Sequence, residues 1–500
     1  MNAYKELIEL YKDIMVWKGI ASIIHWDFET YMPSDATSQR AVQIATLQEL
    51  VHEKITNPRI GILLDECLQD DMSTGGNESL VKRNLHLVKR EYDRATKLPS
   101  GLVAKIAKQS TIAVAKWKVA KKKGNFSMFK PELEENLKLI KEKAKYLNPG
   151  KDPYDVLLDL YEPGVTAASI SSVFKPLRSG LMKLVKRYRK NANDAAYQFL
   201  SREVPMAQQR EIAHRLMEFL GYNLKRGRLD ETEHPFTVGM YKDVRICTHY
   251  HLNNFMSSVY TVLHEAGHAL YEQNIPERLW WLPAGTSCST GIHESQSRFV
   301  ENIMGRSIVF WEHFLPIVKS ITGNTFSDVD VDEMARAVNR VTPSKIRIEA
   351  DEVTYSLHVI LRFELENDLI HGDIDMDELP TVWNEKMDHY LGVTVEHDSE
   401  GVLQDTHWAS GLFGYFPDYA LGNVYDGMFL ENLEADEPQW RESVASGNGE
   451  IVTSWLASNI HEKANLHDPL DLVEEVTGKD INALPFLQYL DSKMDTIHGI

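Results

Sequence analysis

The chain is 500 residues long, 43% hydrophobic, and carries a formal net charge of −19. That length allows one large core or two lobes, and the acidic balance weighs against nucleic acid, whose binding rests on clustered positive charge. No apolar run approaches the roughly 18 residues a membrane-spanning helix needs, so no membrane partner is expected.

Helical periodicity begins at once. Leu7, Leu10, Ile14 and Trp17 recur at three- and four-residue steps with charges between them, which predicts an amphipathic helix and lacks the uninterrupted apolar region of a signal peptide. Lys118-Val-Ala-Lys-Lys-Lys123 is a short basic run, most simply a solvated helix end. The cysteines Cys67, Cys247 and Cys288 are an odd set in a long chain, which predicts reduced thiols and a cytoplasmic setting. Strand content is expected to be small. The best strand is Val244 to Tyr250, which follows Phe236 to Asp243 across a turn as a short hairpin.

The most informative segment comes next. Between Phe255 and Tyr271 the apolar residues Phe255, Val259, Val262, Leu263, Ala266 and Leu270 keep the period of a helix with one buried face, and His264-Glu-Ala-Gly-His268 lies within it. Residues four apart on a helix are about 6 Å apart along its axis, so both imidazoles can converge on one tetrahedral Zn²⁺. Glu265 then stands beside the metal without ligating it, placed to take a proton from a water that the metal activates.

Two histidines leave such a site half built. Glu272 lies one turn beyond His268 on the same helix and would extend the row of ligands without closing a tetrahedron. Trp280 to Gly291 is rich in Pro, Gly and Ser and reads as a connection. A second helix over Ile292 to Ile303 follows, its stripe formed by Ile292, Phe299, Val300 and Ile303. Returned antiparallel to the first, it brings Glu294 on its first turn near the histidines. Glu294 is the expected third ligand, and Glu301, two turns on, is the weaker alternative. His₂Glu ligands suit one Zn²⁺ per chain and also accept Co²⁺ or Mn²⁺. Later in the chain, Leu361, Leu365 and Leu369 continue the helical pattern.

Five separated motifs carry a resemblance. They are His234-Pro-Phe236, Asp243-Val-Arg-Ile-Cys-Thr248, the His264 to His268 motif with His293-Glu-Ser-Gln296, Ile346-Arg-Ile-Glu-Ala-Asp351, and Gly401-Val-Leu-Gln-Asp-Thr-His-Trp408. Together with His25 to Pro33 they make the chain similar, over nearly its whole length, to the carboxypeptidase Taq family of metallocarboxypeptidases. One departure is Cys247, which stands where the family pattern has Thr, with Thr248 directly after it.

The resemblance implies a mainly α, two-lobed protein with a deep active-site groove and a metal at its floor, and the hairpin read above adds a small antiparallel β-sheet near the metal site. It also implies a homodimer that removes single amino acids, with broad specificity, from peptides with a free C-terminus. The expected division is an N-terminal lobe over residues 1–230 and a metal-bearing lobe over 231–500. His407 and Tyr415 are then candidate donors to the oxyanion. Arg347 is the first candidate for the substrate carboxylate, because its planar fork can donate two parallel hydrogen bonds. The residues alone also allow a structural pair with Asp351, four positions on in an expected helical stretch. Arg245 is the alternative, with an internal pair to Asp243 as the competing reading, and His234 is expected to shape the groove. Two other function classes stay open on sequence: a zinc endopeptidase or oligopeptidase using the same metal set, and a non-catalytic helical scaffold.

Overall fold

The spacing of Leu7 and Ile14 is realised in a 27-residue helix, Ala3–Glu29, with both side chains buried. The computed structural model describes residues 3–69, 78–189 and 194–499. Helices Pro58–Gln69 and Glu78–Thr96 pack on this first helix around a small core that includes Leu7, Ile14, Leu63 and Val88. The main core is separate and far larger, drawing on residues from Ala113 to Met494 and so on both sides of position 230. The described residues are overwhelmingly helical, as expected.

A three-stranded sheet interrupts the helices just before the metal motif. Its strands are β1 (Gly227–Glu231), β2 (Phe236–Met240) and β3 (Asp243–Thr248), in the order β1-β3-β2. The β2–β3 hairpin is antiparallel, pairing Phe236 with Cys247 and Met240 with Asp243. Just before the reversal at Tyr241 and Lys242, Gly239 takes φ 105°, where a Cβ would lie 1.9 Å from the Asp243 carbonyl oxygen. The expectation of an antiparallel sheet needs correction, because β1 pairs with β3 in parallel and the sheet is mixed. Gly-Arg-Leu-Asp-Glu lacks the β-branched and aromatic residues that mark strands, so β1 forms through its partner, not through its own propensity.

The metal-motif helix, Phe255–Asn274, packs over this sheet. The chain returns through a connection to the helix Thr290–Arg298, whose first turn is capped by Ser289 Oγ accepting from the Ile292 N–H at 3.0 Å. Gly267, inside the His-Glu-Ala-Gly-His segment, is what lets the two helices meet closely. A Cβ there would lie 2.4 Å from the Gln296 carbonyl oxygen and 2.6 Å from Ser297 Cα. Beyond Arg298 the helix widens into a π-helical turn, Phe299–Met304, a distortion frequent at functional sites.

Candidate metal centre

A groove of about 1330 Å³ runs over the metal helix, and His264, Glu265, His268 and Glu294 all line it. His264 Nε2 lies 3.8 Å and His268 Nε2 3.6 Å from the same oxygen, Oε2 of Glu294. All three candidate ligand atoms lie within 4.8 Å of one another. Tetrahedral Zn²⁺ with bonds near 2.0–2.1 Å spaces its ligand atoms by roughly 3.3 Å, so the set needs only a small contraction. The other Glu294 oxygen, Oε1, is taken by Arg298 Nε at 2.8 Å, which leaves Oε2 turned to the imidazoles. Both histidines also use Nδ1 elsewhere, His264 toward Glu301 Oε2 at 3.0 Å and His268 toward His293 Nδ1 at 2.5 Å. Free Nε2 atoms facing one carboxylate oxygen are what a divalent cation requires, so the residues fit a metal.

The charges of Glu294 and His268 agree with that use. Burial opposes an ionised Glu294, but Arg298 and the two histidines outweigh it and hold the carboxyl well below its usual range. His268 is pushed down to about 3 by burial, with His293 and His264 adding to it, so its imidazole is neutral as a ligand must be. Burial would also lower His264, yet the carboxylates of Glu294 and Glu301 prevail and raise it. Glu265 is raised by burial. Its Oε2 accepts from Thr237 Oγ1 at 2.7 Å, which fixes the carboxylate at the edge of the sheet.

The remaining expected site residues separate into two groups. Tyr415 and Arg347 line the groove; His407, Arg245 and His234 are absent from its lining. Burial lifts Tyr415 to about 12, so its phenol keeps its proton and can donate. The His407 ring sits behind, 4.4 Å from the Phe416 ring and with Nε2 3.5 Å from Tyr419 Oη. Arg347 is buried, donating to Asp405 Oδ1 from Nε and Nη2 at 3.1 and 2.9 Å and to Tyr355 Oη at 3.0 Å. The expected helical stretch around it is a single 3₁₀ turn, Arg347–Glu349, and the long helix starts only at Tyr355. Asp351 therefore does not pair with Arg347. It accepts instead from the backbone N–H groups of Thr342, Val353 and Thr354, a local bonding that competes with helix. Arg245 forms the internal pair with Asp243, at 2.7 and 2.8 Å, and its guanidinium lies 4.1 Å from the Trp26 ring centroid. His234 is exposed, and its neighbours Pro235 and Phe236 line the groove in its place. Cys247 and Thr248 are both buried in β3.

Comparison with known proteins decides the class. A family model described as carboxypeptidase Taq (M32) metallopeptidase matches residues 6–494. The chain belongs to the carboxypeptidase Taq (M32) family. It is 38% identical over 512 residues to thermostable carboxypeptidase 1 of Thermus thermophilus, covering 99% of each. It is also 35% identical to carboxypeptidase 1 of Bacillus subtilis, covering 99% of this chain and 98% of that protein. An M32 carboxypeptidase structure from Deinococcus radiodurans R1 superposes with a TM-score of 0.95 at 32% identity, covering 100% of both chains.

As a member of the M32 family, the chain is a metallocarboxypeptidase, a hydrolase acting on peptides. Neither the endopeptidase nor the scaffold reading is favoured. No described helix is long and apolar enough to cross a membrane. Among the groove residues not picked out from the sequence are Thr237 and Tyr419. Thr237 was reachable, since it directly follows the His234-Pro-Phe236 motif. Tyr419 carries no such signal, being one aromatic in a buried helix, Pro417–Asp436.

Proposed function

We propose that His264, His268 and Glu294 hold one Zn²⁺ per chain, and that Glu265 is the general base in hydrolysis of the C-terminal peptide bond of varied peptides. The observation that carries this is the convergence of two free Nε2 atoms, at 3.8 and 3.6 Å, on a single Glu294 oxygen. When bound, the cation supplies a Lewis acid that acidifies water and polarises the scissile carbonyl. Co²⁺ and Mn²⁺ remain compatible with the same ligands.

The protein's own groups do the rest. Glu265, held by Thr237, takes the proton of the attacking water and hands it to the departing amine. Tyr415, whose burial keeps it protonated, donates to the carbonyl oxygen as that atom gains charge. Arg347 receives the substrate carboxylate through the N–H groups that Asp405 and Tyr355 leave free, and Asp405 sets the plane of its fork. His407 supports the tyrosine wall from behind through Tyr419. Three buried free cysteines support a cytoplasmic setting, and the family resemblance supports a homodimer, which light scattering tests.

The deciding experiment is mass spectrometry of one short peptide, with free and amidated C-termini, after incubation with metal-loaded protein and a chelated control. Stepwise loss of single C-terminal residues from the free peptide alone, abolished by the chelator, is expected. Glu265→Gln should lower turnover by about 10² to 10⁴ while metal stays bound. Internal cuts in both peptides, or full activity of Glu265→Gln, would overturn the reading.

A further inference from the structure

The two ligand histidines are backed by different partners. His264 Nδ1 meets the Glu301 carboxylate at 3.0 Å, and Arg298 and Arg306 neutralise that carboxylate from 3.5 and 3.3 Å. His268 Nδ1 meets no carboxylate. It faces His293 Nδ1 at 2.5 Å, and His293 Nε2 in turn lies 3.2 Å from Glu272 Oε1.

Protons along this row have one consistent arrangement. A neutral imidazole has one N–H and one lone pair. With the His268 Nε2 lone pair turned toward Glu294 and a cation, His268 carries its proton on Nδ1 and donates it to His293 Nδ1. His293 must then carry its own proton on Nε2, which it donates to Glu272, whose ionised carboxylate can only accept. Each donor meets one acceptor. Without the Glu272 charge, His293 is free to move its proton to Nδ1, and then two N–H groups oppose each other unless His268 moves its own proton to Nε2 and ceases to be a ligand. The His293 ring is also packed in place, with the Tyr271 ring centroid 5.1 Å away and itself 5.0 Å from that of His461.

We propose that His293 and Glu272 are positioning residues, the chain Glu272–His293–His268 fixing the His268 tautomer and ring plane and so setting the affinity of the centre for its cation. This rests on the metal-site reading above. The row also links the two helices that carry the ligands, Glu272 standing one turn beyond His268 and His293 directly before Glu294. Neither residue is required as a ligand for this role.

The test uses full-length Glu272→Gln, His293→Phe and His293→Gln. Zn²⁺ affinity is measured by competition with a chromophoric chelator, the Co²⁺ d–d spectrum reports ligand geometry, and circular dichroism of the metal-free proteins checks the fold. Glu272→Gln, nearly isosteric, should weaken Zn²⁺ binding about 10- to 100-fold, the range for loss of an outer partner of a metal ligand. His293→Phe should lose at least as much and shift the Co²⁺ spectrum. His293→Gln should recover part of the loss, because its amide oxygen can still accept from His268 Nδ1. Wild-type affinity and an unchanged Co²⁺ spectrum in both Glu272→Gln and His293→Phe would overturn the relay alone. Failure of the wild-type protein to bind Zn²⁺, or retained binding in the His264→Ala, His268→Ala double variant, would overturn the metal site and the relay with it.

Discussion

Thr237 Oγ1 lies 2.7 Å from Glu265 Oε2 and 2.9 Å from the Glu265 carbonyl oxygen, so one hydroxyl on β2 touches both the side chain and the backbone of the proposed general base. The side-chain contact orients a buried carboxylate, and a hydrogen bond to a charged group contributes about 1.5–3 kcal/mol. Thr237→Val keeps the shape and removes the donor. It should lower kcat by roughly 10- to 100-fold with bound metal unchanged, and Thr237→Ser should restore most of it. Steady-state kinetics with metal analysis checks this; an unchanged kcat in Thr237→Val would deny the contact a role.

Gly267 governs the spacing of the two helices that carry the candidate ligands, because an added Cβ there meets backbone atoms of residues 296 and 297 that cannot rotate away. Gly267→Ala should therefore push Glu294 from the histidines. The expected result is a stability loss of about 1–3 kcal/mol, typical of overpacking, together with weaker Zn²⁺ binding in chelator competition. Wild-type affinity in a folded Gly267→Ala protein would show that this close approach does not position the ligands.

Asp405 stands between two buried arginines, accepting from Arg347 Nη2 at 2.9 Å and from Arg362 Nε at 2.7 Å. Asp405→Asn leaves both guanidiniums buried beside a neutral group, and the cost of breaking such a pair is about 3–5 kcal/mol, readable as a lower denaturation midpoint. Arg347→Ala should raise KM for peptides with a free C-terminus far more than it affects their amides. Equal losses on both substrate forms would leave Arg347 a purely structural partner of Asp405.

Glu366 is buried, its carboxyl accepting from Trp408 Nε1 at 2.7 Å, Tyr154 Oη at 2.9 Å and the Gly414 N–H at 2.9 Å. Burial outweighs these donors and lifts it from 4.5 to about 7. Between those values the folded protein holds a proton that the unfolded chain has released. Its contribution to stability is therefore complete below pH 4.5 and lost as pH rises to about 7. Denaturation midpoints at pH 5 and pH 7.5 should fall with rising pH in the wild type and fall less in Glu366→Gln. An identical pH dependence in the two proteins would rule this carboxyl out as the source.

Much of the centre is legible in the chain because helix geometry is local. The four-residue spacing of His264 and His268 puts them on one face wherever that helix packs, and the stripe from Ile292 to Ile303 predicts the returning helix and the turn that carries Glu294. Glu272 and Glu301 show where such reasoning stops. Their positions in the chain make both possible ligands, and each instead stands behind a histidine, Glu301 on His264 and Glu272 on His293. Choosing between ligand and support needs the orientation of the imidazoles, which packing sets.

The sequence by itself determined the helical class, the hairpin before the helix of the metal motif, and the types and spacing of the candidate ligands, all consequences of short-range periodicity and of motifs contiguous in the chain. Only the tertiary structure decided that Arg347 pairs with Asp405 instead of Asp351, that Arg245 turns to Asp243 and Trp26 away from the groove, and that β1 lies parallel to β3. Partners such as Arg347 and Asp405 lie 58 positions apart, and which distant group reaches a buried charge depends on how whole helices pack. Burial makes an unmatched charge costly, so the pairing is strict once the helices are in place, yet nothing in the local pattern of residues names the partner.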